Sequence, residues 1–136
     1  MAFIEVKGLG DDYEDYPVPE GEYPLRVEGI KEQKAKDGIS DQVMCMIDVT
    51  DPDYPNSATI FHYLTFPSEQ DDADKRRTKM QMNTRFLKKF RVRFEKNGFN
   101  AEDIVGAEAT VLLNQKEFPE NSGIMRNNLV LPQVQE

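Results

Sequence analysis

A chain of 136 residues, 38% hydrophobic and 31% charged, is long enough for one buried core and too short for two, which excludes a multidomain enzyme and a wholly disordered chain. A single cysteine, Cys45, excludes an intrachain disulfide and a cysteine-rich zinc site, and a single histidine, His62, nearly excludes a His-based metal site. The formal net charge of −8 argues against a polyanionic ligand only if it is evenly spread, and it is not: residues 75–96 carry 10 bases against Glu95 alone, whereas residues 1–74 carry 18 acids against 5 bases.

The chain begins Met1-Ala2-Phe3-Ile4-Glu5-Val6-Lys7, which lacks the apolar run of a signal peptide, and no stretch nears the roughly 20 apolar residues of a membrane helix. A cytoplasmic location without a membrane partner is therefore expected. Residues 1–20 read as a flexible acidic leader, because the like-charge block Asp11-Asp12-Tyr13-Glu14-Asp15 is followed by the stiff Pro17-Val18-Pro19.

From Glu22 the pattern alternates, Tyr23, Leu25 and Val27 against Arg26 and Glu28, which predicts a first strand. Gly29 interrupts it where a bulge would curl the sheet, and Ile30 resumes the inward face. Lys34-Ala35-Lys36-Asp37-Gly38 predicts a hairpin turn into a second strand, Gln42 to Thr50, with Val43, Cys45, Ile47 and Val49 inward. The proline-rich Asp51 to Ser57 connects to a third strand, Ala58 to Phe66, with Ile60, His62 and Leu64 on one face and Phe61 and Tyr63 on the other. A helix is predicted over about Thr78 to Lys96, with Met82, Phe86, Leu87, Phe90 and Phe94 as its apolar stripe and Asn97-Gly98 as its stop. A fourth strand, Glu108 to Phe118, a turn at Pro119 to Gly123 and a fifth strand, Ile124 to Leu131, complete the order.

Three strands, one main helix and two more strands is the order of a mainly β, five-stranded OB-fold barrel with its α-helix between strands 3 and 4. Residues 21–132 form that domain and 133–136 a short tail; a β-sandwich and another α+β fold share the order.

Four segments carry a family resemblance: Val18-Pro19-Glu20-Gly21-Glu22-Tyr23, Thr59-Ile60-Phe61-His62-Tyr63-Leu64, Ile104-Val105-Gly106 and Asn127-Asn128-Leu129-Val130-Leu131-Pro132. In order and spacing they resemble a phage-encoded family, long catalogued as of unknown function, similar to OB-fold single-stranded-DNA-binding proteins encoded near recombination and replication genes. The resemblance covers roughly residues 18–132 and implies strand-face binding of single-stranded DNA, without fixing contact residues.

Those residues follow from what the ligand needs: cations along the phosphates and exposed rings under the bases. Candidate cations are Arg26, Lys31, Lys34 and Lys36 on the first two strands and their hairpin, with Lys116 and Arg126 on the last two. Candidate rings are Phe61, Tyr63 and Phe118. Each has a plainer alternative, a solvated lysine at a hairpin tip or an aromatic packed under the helix, and the basic helix itself reads as a solvated face. At physiological salt the Debye length is about 8 Å, so an acidic protein can still carry a basic groove.

Enzymatic patterns are weaker. Pro52-Asp53 and Glu32-Gln33-Lys34 present a nuclease signature in reversed order, and Asp48, Asp51 and Asp53 fit a proline-rich turn better than a cation site. No nucleophile elbow or phosphate-cradling glycine loop occurs. No catalysis, cofactor or metal is expected. The expected partner is single-stranded DNA; replication or recombination proteins docked on an adaptor barrel are the alternative, and self-association stays open.

Overall fold

A computed structural model describes residues 2–7, 9 and 16–131. The acidic block Asp11–Asp15, Pro132 and the tail 133–136 lie outside the described residues. Strands β1 (Gly21–Lys34), β2 (Asp41–Val49), β3 (Ile60–Thr65), β6 (Glu108–Glu117) and β7 (Met125–Val130) form one antiparallel sheet in the order β3-β2-β1-β6-β7. Helix α1 spans Ala73–Lys89, and β4 (Phe94–Glu95) and β5 (Gly98–Phe99) make a separate two-stranded hairpin.

The sheet curls because β1 bends. Its register against β2 slips between Val27 and Gly29, a bulge at the expected glycine; residues 21–26 of β1 pair with β6 and residues 25–34 pair with β2. The result is a half-barrel whose edge strands, β3 and β7, approach within 8 Å between Cα atoms. Its concave face carries the alternating apolar residues anticipated from the pattern: Leu25, Val27, Val43, Cys45, Ile47, Ile60, Leu64, Val111 and Leu113 are all buried. Phe86 and Leu87 of α1 and its C-cap residue Phe90 join this core, with Phe86 stacked on His62 of β3 (centroids 4.9 Å, planes 9° apart).

Helix α1 starts and ends earlier than expected. Asp72 caps it by accepting the Lys75 N–H at 2.8 Å, so Lys75, Arg76 and Arg77 are helical rather than loop residues. At the other end, Arg91 takes the left-handed conformation (φ 57°). Its N–H donates to Lys88 O (3.2 Å), and the Val92 N–H donates to Leu87 O (2.8 Å). This is a Schellman closure with arginine where glycine is usual, sealed by burial of Val92 against the core. Asn97-Gly98 therefore belongs to the β4–β5 hairpin, whose turn is Lys96-Asn97, instead of stopping the helix, and Phe94 and Met82 are exposed rather than part of the buried stripe.

Residues 16–19, expected to lie in a flexible leader, are bonded to the fold. Val18 is fully buried: its N–H donates to Asn127 Oδ1 (2.8 Å), while Asn127 Nδ2 (2.9 Å) and Gln115 Nε2 (2.7 Å) donate to its carbonyl. Tyr16 O accepts the Ala58 N–H at 2.7 Å, and the Tyr23 hydroxyl donates to Pro19 O at 2.6 Å. The backbone polar groups of the buried Val18 are thus satisfied by side chains of β6 and β7.

Candidate functional site

Because side chains alternate across a strand, burying one face of β2 and β3 forces the other outward. Phe61 (44% exposed) and Tyr63 (48%) stand on that convex face, so neither packs beneath the helix. The registers set them in two rows across three strands, Lys31–Met44–Tyr63 and Gly29–Met46–Phe61. The two methionines complete an apolar strip between the cation and the rings. The alternation that turns Val43, Cys45 and Ile47 inward is the signal in the sequence that turns these two methionines outward. At the bulge, a Cβ on residue 29 would lie 3.0 Å from Met46 Cε, so glycine also gives the second row its clearance.

A second group forms where two hairpins meet. The Phe118 ring, 51% exposed, lies between Lys36 of the β1–β2 loop (Nζ 5.8 Å from the centroid) and Arg126 of β7 (Cζ 5.2 Å). Each such cation–ring contact contributes about 0.5–1 kcal/mol at an exposed site. Lys116 pairs directly opposite Arg126, and among the described residues neither is in a salt bridge. Like charges directly opposite one another destabilise a sheet; an anion between them removes that repulsion.

Two candidates do not join this set of free cations. Lys34 is held by Asp41 (Nζ–Oδ1 2.6 Å). Arg26 sits in register with Asp48 on one side and Glu108 on the other, and its Nε is 3.7 Å from Glu28 Oε1. These acids cancel its charge locally, a placement that charge counting along the chain does not reveal.

The β1–β2 loop that presents Lys36 is ordered from within. Asp37 Oδ1 accepts the N–H groups of Ile39 and Ser40 (2.8 Å each) and Oδ2 accepts the Ser40 hydroxyl (2.7 Å). The two backbone donors hold the Asp37 carboxyl down at about 2. Lys79 of α1 reaches over to donate to Ser40 Oγ (3.2 Å) and to Asp71 Oδ2 (2.7 Å). Lys79 therefore has a structural role that its place in a run of bases conceals.

The remaining chemistry-bearing residues are placed differently. Burial pushes the Cys45 thiol up to about 12 and holds the His62 imidazole down at about 4, so neither is an accessible nucleophile or base near pH 7. Asp48 Oδ1 accepts the Thr59 hydroxyl (2.8 Å), and Asp51 Oδ1 accepts the Asp53 N–H (2.9 Å). Among the described residues no group of three or more His, Cys, Asp or Glu side chains is arranged to hold a metal ion, and no helix is long and apolar enough to cross a membrane. No protein-family model matches the chain, and comparison with curated proteins returns no significant match.

Proposed function

We propose that this chain is an OB-fold protein of phage replication or recombination that binds single-stranded DNA without sequence preference and without catalysis. The observation that carries this reading is the convex strip of Phe61, Tyr63, Met44 and Met46, with Lys31 at its edge and the Lys36–Phe118–Arg126 cluster formed by the two hairpins. The sheet order β3-β2-β1-β6-β7 becomes that of an OB barrel when the β3–β7 seam closes. In such a barrel the face of the second and third strands and the two hairpin loops take up oligonucleotides. Bases stack on Phe61, Tyr63 and Phe118, which are indifferent to base identity, while phosphates lie against Lys31, Lys36, Lys116 and Arg126.

A protein-interaction adaptor is the second reading. It is favoured by the exposure of Phe3, Ile4, Val6 and Leu9 near the N-terminus, apolar side chains that a replication or recombination enzyme could cover.

Fluorescence anisotropy with labelled oligo-dT at about 50 and about 200 mM salt, with duplex as competitor, tests the first reading. Binding that weakens with salt and resists duplex competition is expected. Its absence overturns the reading, and magnesium-dependent cleavage of the oligomer would identify a nuclease instead.

A further inference from the structure

Helix α1 carries a charge pattern that neither packing nor capping requires. After Asp74 every ionisable residue on it is a cation: Lys75, Arg76, Arg77, Lys79, Arg85, Lys88 and Lys89. Its buried side is defined by Asn83, Phe86 and Leu87. At 100° per residue, Arg77, Arg85 and Lys88 fall together on the opposite side with Thr78, Gln81 and Thr84, Asp74 precedes them in the first turn, and Lys89 flanks them. Arg85 has Lys88 and Lys89 three and four residues on, spacings at which like charges repel. In a chain with 25 acids, none of these four cations is in a salt bridge among the described residues.

Among the described residues Lys79 is the only cation of the helix that ties it to another element, and its bond to Ser40 sets the start of the helix against the β1–β2 loop, the loop that carries Lys36. From Arg77 to Lys88 the cationic side extends about 16 Å along the helix axis.

We infer that the solvent side of α1, through Arg77, Arg85 and Lys88, is a second nucleic-acid surface that binds phosphates alone and extends the strand path beyond the sheet. This rests on the reading of the sheet face given above. The chemistry of that side favours a phosphate backbone over an acidic protein segment: from Arg77 to Lys88 its centre holds only cations and the polar Thr78, Gln81 and Thr84, with no ring for a base, and the exposed Met82 lies at its margin, its sulfur 3.7 Å from Arg85 Nη1.

The test compares wild type with R77Q/R85Q/K88Q on a dT oligomer of about 6 nucleotides, short enough for the sheet face, and one of about 20. The short oligomer should bind both proteins equally. The long one should bind the variant at least tenfold more weakly at low salt, and its slope of log K on log salt should fall by about 2. Unchanged circular dichroism and rescue by R77K/R85K/K88R show that charge, not folding, is responsible. Equal binding of the long oligomer to both proteins overturns the helix surface while leaving the sheet reading intact. Loss of poly-glutamate binding with DNA binding unchanged overturns it in favour of an acidic peptide. Failure of wild type to bind either oligomer overturns both readings together.

Discussion

Lys79 Nζ donates to Ser40 Oγ across 3.2 Å, a bond between residues 39 positions apart that fastens helix α1 to the loop between β1 and β2. Ser40 is buried, and its N–H and hydroxyl are both taken by Asp37. Lys79→Met removes the outer tie and leaves Asp71 without the side chain that lowers its carboxyl. The expected result is faster amide exchange at Ile39 and Ser40, by roughly an order of magnitude, with the core strands unaffected. Oligonucleotide affinity should fall a few-fold because Lys36 is less well placed.

The opposed pair Lys116 and Arg126 gives stability and binding opposite signs. Lys116→Gln relieves cross-strand repulsion and should leave stability unchanged or raise it by a few tenths of a kcal/mol. The same change should lower the salt slope of single-stranded DNA binding by about 0.7. Thermal unfolding and anisotropy on one sample check both; a loss of stability would show that Lys116 supports the fold rather than a ligand.

Phe61 and Tyr63 are exposed side chains on a sheet whose other face is the core, so their truncation should not unfold the protein. Phe61→Ala with Tyr63→Ala should weaken oligo-dT binding by about 1–3 kcal/mol for each stacked base lost. Unchanged affinity in anisotropy would move the binding face elsewhere.

The half-barrel was legible because burial enforces a period of two: Val43, Cys45, Ile47 and Val49 had only one way to face, and Gly29 marked the bend. Phe61 and Tyr63 followed from the same constraint. Helix boundaries were less legible. Aspartates crowd residues 71–74, and only geometry shows that Asp72 is the cap, while the stop at Arg91 lacks the glycine that normally signals it. Among the cations, sequence could not separate Lys36, aimed at Phe118, from Lys34, neutralised by Asp41, because the difference lies in cross-strand register.

That arginine stop is itself testable. A left-handed backbone costs a residue with a Cβ about 1 kcal/mol, and glycine is free of that cost. Arg91→Gly should therefore raise stability by up to about 1 kcal/mol in denaturant unfolding. A loss would show that the Arg91 side chain contributes more by packing than its backbone conformation costs.

His62 sets the acid limit of the fold. Its ring stacks on Phe86 between β3 and α1, and burial holds its pKa at about 4 against an ordinary value of 6.5. The unfolded chain therefore takes up a proton below pH 6.5 that the folded protein refuses until about pH 4. The stability this provides is complete above pH 6.5 and is lost as pH falls from 6.5 to about 4, by up to about 3 kcal/mol. Below pH 4 the loss from His62 levels off, and Asp37, held at about 2 by its two backbone donors, begins to lose its contribution instead. Denaturant midpoints at pH 7.5, 5.5 and 4.5 should fall in that order for wild type and flatten for His62→Gln, which has no group that titrates in that window. An equally steep fall in the variant would assign the acid sensitivity to the carboxylates rather than to the buried imidazole.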